Sequence, residues 1–195
     1  MRTMIDMFRG ATRRLTYCAL LLPVAVAALA VVLAGRPEPA VRWWRNLSVR
    51  LLGVPPLPSA RRPLGVPPLP PTRRPGWSRT ATHTALSLLL GATALIPVGL
   101  VLLFVSRGVL YGVVDPGPYD TAWGGPSRGG AWLAHFLVGV PIMAAGLAFG
   151  ALVVEVHRRL TAALTGRPTG RWVVPVALLL ALVGATFVVA WTRQI

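Results

Sequence analysis

Residues 172–191 read WVVPVALLLALVGATFVVAW, a run without Asp, Glu, Lys or Arg that is closed at each end by a tryptophan. On a straight helix the two indoles lie about 28 Å apart, which places one at each headgroup level of a bilayer. Two further runs, residues 85–105 and 131–154, also lack Asp, Glu and Arg, and each reaches the roughly 20 apolar residues that a spanning helix needs. A fourth, residues 17–34, is shorter and carries Pro23 near its start. Together they predict an all-α integral membrane protein. The expected fold is a bundle of three to four transmembrane helices with an interfacial amphipathic helix and a Pro/Arg-rich linker.

The composition of the whole chain points the same way. Of its 195 residues 54% are hydrophobic and 13% charged, against about 25% charged in soluble domains. Its 20 basic residues are all Arg and face five acids, for a net charge of +15. In a nucleic-acid binder such charge would not be fenced off between runs of membrane length, so no nucleic-acid partner is expected. Cys18 is the only cysteine and cannot anchor an internal disulfide framework.

Arginines near helix ends resist translocation and so set the orientation. The stretch 35–84 holds Arg36, Arg42, Arg45, Arg50, Arg61, Arg62, Arg73, Arg74 and Arg79, and 155–171 holds Arg158, Arg159, Arg167 and Arg171. The stretch 106–130 holds only Arg107 and Arg128, offset by Asp115 and Asp120. A multi-pass protein of the cell membrane is expected, with 35–84 and 155–171 cytoplasmic and 106–130 external. The basic tail 1–16, with Arg2, Arg9, Arg13 and Arg14, also asks to be cytoplasmic. One crossing cannot satisfy both flanks of residues 17–34, so either the tail is translocated or this segment re-enters as a hairpin kinked at Pro23.

Between the first two apolar runs, a helix over residues 40–54 brings Trp43, Trp44, Leu47, Leu51 and Val54 onto one arc, bordered by Arg42, Arg45, Asn46 and Arg50. That pattern predicts an interfacial helix on anionic lipid, either a plain anchor or a docking helix for a protein partner. A tandem duplication comes next, LGVPPLPSARRP at 52–63 and LGVPPLPPTRRP at 64–75. Its proline density forbids a helix and predicts an extended polyproline spacer. Arg158 and Arg159 form the matching basic edge after the third apolar run.

The loop 107–130 is rich in Gly, Pro and aromatic residues and reads as an ordered cap. Asp115, Tyr119, Asp120 and Trp123 are candidates to line an external ligand site, with His135 about one turn inside the next helix. A tight connector, and a histidine satisfied by a carbonyl, Asp120 or Tyr119, are the plainer alternatives. Gly139, Gly146 and Gly150 share one side of that helix and predict close helix packing, including in a homo-oligomer. No Ser-His-Asp set, paired carboxylates or nucleotide loop is present, so no enzyme and no cofactor are expected. His83, His135 and His157 fall at different predicted depths, which argues against a shared metal site.

Tyr119-Asp120, then Trp123-Gly124-Gly125-Pro126, Gly130-Ala131-Trp132 and His135, and a helix ending in His157-Arg158-Arg159-Leu160, resemble the membrane sensor domain at the amino end of bacterial two-component sensor histidine kinases. The segment Leu51-Leu52-Gly53-Val54-Pro55 is similar to the stretch just after that family's first membrane hairpin. The resemblance covers roughly residues 12–168. It implies a signal-input module. Two departures accompany it: residues 17–34 are long enough for only one helix or a compressed hairpin, and a fourth apolar run stands where the family has its phosphoacceptor helix and ATP-binding domain. The chain is therefore expected to act through a partner, a separate histidine kinase or a transporter subunit. The rival expectation is a structural accessory subunit of a larger membrane complex.

Overall fold

The computed structural model describes residues 2–53, 76–164 and 170–194, and among these every regular element is helical. The tandem repeat from residue 54 onward lies outside the described residues. The elements are α1 (Arg2–Leu33), α2 (Pro37–Leu52), α3 (Trp77–Leu103), a π-helical turn (Phe104–Val109), α4 (Tyr111–Val114), α5 (Arg128–Leu164) and α6 (Val173–Thr192). Four helices are long and apolar enough to cross a membrane: Met4–Leu33, Trp77–Val109, Arg128–Leu164 and Val173–Thr192. Large apolar side chains face outward along them, among them Leu137, Leu152, Leu178, Leu179, Leu182 and Val183. A water-soluble bundle would bury these; a bilayer solvates them. The chain is an all-α, multi-pass membrane bundle.

The spanning helices extend beyond the apolar runs that announce them, because the flanking residues are good helix formers and a helix does not stop where hydropathy falls. α1 runs unbroken through Pro23, so the re-entrant hairpin at that proline is not formed. The reversal comes at Gly35. Its φ is +73°, and Arg36 N donates to Val31 O at 2.8 Å while Gly35 N donates to Val32 O at 3.0 Å. These are the paired bonds of a glycine-terminated helix end, which a residue with a Cβ would strain. Pro37 then opens α2 in the first-turn position where its missing N–H costs nothing. A continuous α1 places Arg9, Arg13 and Arg14 at the opposite end from Arg36, so the charge conflict between its flanks is built into the fold.

Side-chain contacts fix how the helices run. Val32, at the end of α1, accepts a bond from Trp77 Nε1 at the start of α3 (3.0 Å), so these two helices are antiparallel. Near the end of α5, Thr161 meets His83 in the first turns of α3, and at the far end Gly139 lies against Phe104. Gly146 packs on Leu100, Gly150 on Pro97 and Cys18, and Gly184 of α6 on Thr93 of α3. Gly139, Gly146 and Gly150 are therefore occupied by contacts within the chain. The core runs from Tyr17, Leu21 and Ala25 of α1 through Leu90 and Ala94 of α3 to Val153 and Val156 of α5.

Gly91 makes the tightest approach between α1 and α3. A Cβ there would lie 2.8 Å from Leu22 Cα and 3.0 Å from Leu22 N, which are backbone atoms that cannot rotate away. Gly91→Ala should cost about 1–3 kcal/mol as the helices are pushed apart. Gly99, on the same helix with open space around its Cβ position, should tolerate alanine or gain up to about 1 kcal/mol from helix propensity. Reversible unfolding of both variants in mixed micelles measures the difference; equal values would contradict the packing.

Candidate functional site

Two polar constellations stand out, one near each end of α5. At the end formed by the π-helical turn, α4 and the start of α5, an apolar cavity of about 470 Å³ opens between α3 and α5. The helix widens into a π-turn here, a feature common at functional sites, and Gly108 and Gly139 both come so close to the Phe104 ring that a Cβ would lie 2.8 and 2.6 Å from it. Phe104 thus floors the cavity. Trp132 Nε1 donates to Gly108 O at 2.8 Å, tying α5 to the turn.

His135 and Tyr111 form one wall, their rings stacked at 4.0 Å and 15°. Nδ1 of His135 donates to Ala131 O at 2.8 Å; because a carbonyl only accepts, this nitrogen carries the proton. Trp123 lines the mouth with its indole 72% exposed. Arg107 completes the rim. Asp115 and Tyr119 instead build the loop: Asp115 accepts from Gly117 N at 3.1 Å and from Arg107 at 3.5 Å, and Tyr119 Oη donates to Asp115 O at 2.6 Å. Asp120 is exposed and contributes nothing to the cavity lining. Of the five residues expected at one external site, the structure brings together Trp123 and His135, adds Tyr111 and Arg107, and leaves Asp120 outside. Asp120 lies where the loop turns away toward solvent.

The second constellation lies between α1, α2, α3 and α5. Tyr17 Oη is 2.7 Å from Nδ1 of His157, and Nε2 of His157 is 3.0 Å from Ser87 Oγ. Nε2 of His83 is 3.3 Å from Thr161 Oγ1. Counting donors orders the protons along the chain. Ser87 spends its proton on His83 O at 2.7 Å and Thr161 spends its own on His157 O at 3.0 Å, so each hydroxyl can only accept from the facing imidazole. With those two bonds held, both histidines carry hydrogen on Nε2, Tyr17 donates to Nδ1 of His157, and Nδ1 of His83 faces the Ser87 hydroxyl at 3.3 Å as an acceptor; the opposite orientation, with Tyr17 donating to Ser48, runs every proton the other way along the same contacts. Every proton has an acceptor, with each ring neutral. Ser48 of α2 sits 3.4 Å from Tyr17 Oη, and the Trp44 ring lies over both imidazoles, 5.0 Å from His157 and 5.6 Å from His83. The two imidazoles are themselves 5.4 Å apart.

This arrangement corrects two expectations. His83 and His157 share one depth, because α3 starts at Trp77, ahead of its apolar run, and packs antiparallel along α5. Among the described residues no group of three or more His, Cys, Asp or Glu could hold a metal. Trp43 and Trp44 do not share a lipid-facing arc. Trp44 is fully buried and Trp43 is 38% exposed, because α2 packs its apolar side onto α1, α3 and α5 and turns Arg42, Trp43, Arg45 and Arg50 outward. At the end of α5, Arg158 and Arg159 both hold Glu155, at 2.8 and 2.6 Å, and Arg159 lies 4.8 Å over the Trp172 ring.

Tyr17, Ser48, Ser87 and Thr161 are functional candidates that sequence reading missed. For Ser87 the signal was present: Thr80, His83, Thr84 and Ser87 fall at i, i+3, i+4 and i+7, one polar stripe along a helix. No family model, curated protein or solved structure matches the chain.

Proposed function

We propose that the chain is a membrane-embedded signal-input module that lacks a kinase domain of its own and acts on a partner, with the cavity at the Tyr111 end as its input and α2 as its output. The observation that carries this reading is that one uninterrupted helix, α5, bears both constellations. His135 lines the cavity and His157 anchors the buried chain, about 33 Å apart along a straight helix. Pro141 lies between them. A ligand that shifts the first turns of α5 has a continuous element through which to move His157 against Tyr17, Trp44 and Ser48, and so to bias the docking of α2. The arginine distribution assigns the α2 end to the cytoplasm, where Arg42, Arg45 and Arg50 would face anionic headgroups or a partner, either a histidine kinase or a transporter subunit. An accessory subunit is the rival reading, in which the lipid-facing side of α6 at Leu178, Leu179, Leu182 and Val183 would carry the contact with the larger complex.

Affinity capture from native membranes, followed by reconstitution with the captured partner, separates the two. For the input module, His135→Ala should leave capture intact and lower the stimulus-dependent change in partner activity at least about tenfold, as loss of a differential interaction requires. If the variant responds like the wild type, or if substitutions on α6 alone abolish both capture and activity, the accessory reading holds instead.

A further inference from the structure

We infer that the cavity between α3 and α5 binds a single-chain amphipath with a carboxylate head. The inference rests on the input reading of that site and adds the class of ligand.

The inner wall is hydrocarbon, formed by Leu100, Leu103, Val138 and Ile142. None of these side chains can hydrogen-bond, so a polar body placed there would be stranded without partners, and the part of a ligand that enters deepest must be apolar. The volume of about 470 Å³ lies within the roughly 300–1,000 Å³ of small-molecule sites and is small for a lipid with two chains. At the mouth, the exposed Trp123 offers an apolar surface that a bound chain would cover.

The charge on the wall is one-sided. Among the described residues, Arg107 lines the cavity and no acidic residue does. Within that set its guanidinium makes a single polar contact, one nitrogen to Asp115 at 3.5 Å, with the side chain 58% exposed. A guanidinium has five N–H donors in a planar fork, so most of them remain to grip two carboxylate oxygens side by side. The polar end and the apolar depth of the cavity match the two ends of an alkyl carboxylate. An alcohol head has other polar wall groups available to it, among them Thr121 and His135, which uses Nδ1 on Ala131 O and keeps Nε2 as an acceptor. An alcohol of equal chain length is therefore the discriminating competitor.

The test uses the full chain in phosphatidylcholine nanodiscs and a palmitate analogue with a photoactivatable diazirine on its tail. Labelling should map to Leu103, Val138 or Ile142. Palmitate should displace the probe at about tenfold lower concentration than hexadecanol, the margin that a charge-assisted hydrogen bond supplies. Arg107→Gln, a change on the exposed rim, should bring the two competitors within about threefold of each other, and Val138→Trp, which fills the wall, should remove the labelling. Equal competition by palmitate and hexadecanol overturns the carboxylate head. Labelling that maps elsewhere, or that survives Val138→Trp, overturns the site. Labelling found in detergent but lost in nanodiscs shows that a bilayer phospholipid holds the cavity, which overturns the single-chain occupant. Selective palmitate binding without any response of the captured partner would keep the ligand and remove the input reading, whereas a partner response to hexadecanol alone would do the reverse.

Discussion

Trp44→Ala is expected to cost about 3–5 kcal/mol, whereas Trp43→Ala, one residue away, should stay within about 0.5 kcal/mol. Trp44 is the largest fully buried side chain among the described residues, packed against the imidazoles of His83 and His157, and its removal leaves a cavity at the junction of four helices. Trp43 stands on the open side of α2. Trp44 Nε1 has no hydrogen-bond partner among the described residues, so Trp44→Phe keeps most of the packing and forfeits no bond; it should cost less than half as much as alanine. Unfolding in mixed micelles gives the three values. Equal losses for Trp43→Ala and Trp44→Ala would mean that α2 is not docked as described.

The contrast between these two tryptophans shows where sequence reading stops. Consecutive residues on a helix are 100° apart, so Trp43 and Trp44 both fit a broad apolar arc. Which of them faces inward depends on a surface that other helices build. The helical architecture was legible because length and hydropathy alone exclude most alternatives once residues 85–105, 131–154 and 172–191 are seen. What hydropathy hid was the polar stripe of α3. A window tuned to apolar runs begins at residue 85 and discards Thr80, His83 and Thr84, although these lie on the same helix and the same side as Ser87. The cavity at the Tyr111 end was legible in part. His135 and Trp123 were singled out by chemistry, but Asp120 was joined to them only by proximity in sequence, and the turn through residues 119–125 carries it away. Tyr111 and Arg107 were passed over because a π-helical turn cannot be read from residue type, and it is this turn that brings both onto the cavity wall.

The buried chain of Tyr17, His157, Ser87, His83 and Thr161 makes the other large prediction. His157→Ala should cost about 3–5 kcal/mol, since it removes a fully buried ring and with it the imidazole partner of the Tyr17 hydroxyl at one end and of the Ser87 oxygen at the other. Size alone could produce that figure, so the informative variants keep the volume. Tyr17→Phe deletes one hydroxyl and should cost about 1–2 kcal/mol, because Nδ1 of His157 is left without its partner. His157→Phe keeps a ring and removes the imidazole partner of both hydroxyls. If Tyr17 and His157 share a proton, the double variant should be less destabilised than the sum of the singles, by about 1 kcal/mol. Strict additivity would show that the two groups do not share a proton. The same cycle bears on the proposed input-to-α2 coupling, because Tyr17 belongs to α1 and His157 to α5, and Ser48 and Trp44 of α2 pack against them. A variant that loses the bond but keeps the fold should release α2 from the α5 end, so that a cysteine introduced by Ser48→Cys, a position buried when α2 is docked, reacts faster with a polar maleimide in a Cys18→Ser background. Unchanged reactivity in Tyr17→Phe would separate the buried chain from α2 and leave it a purely internal brace.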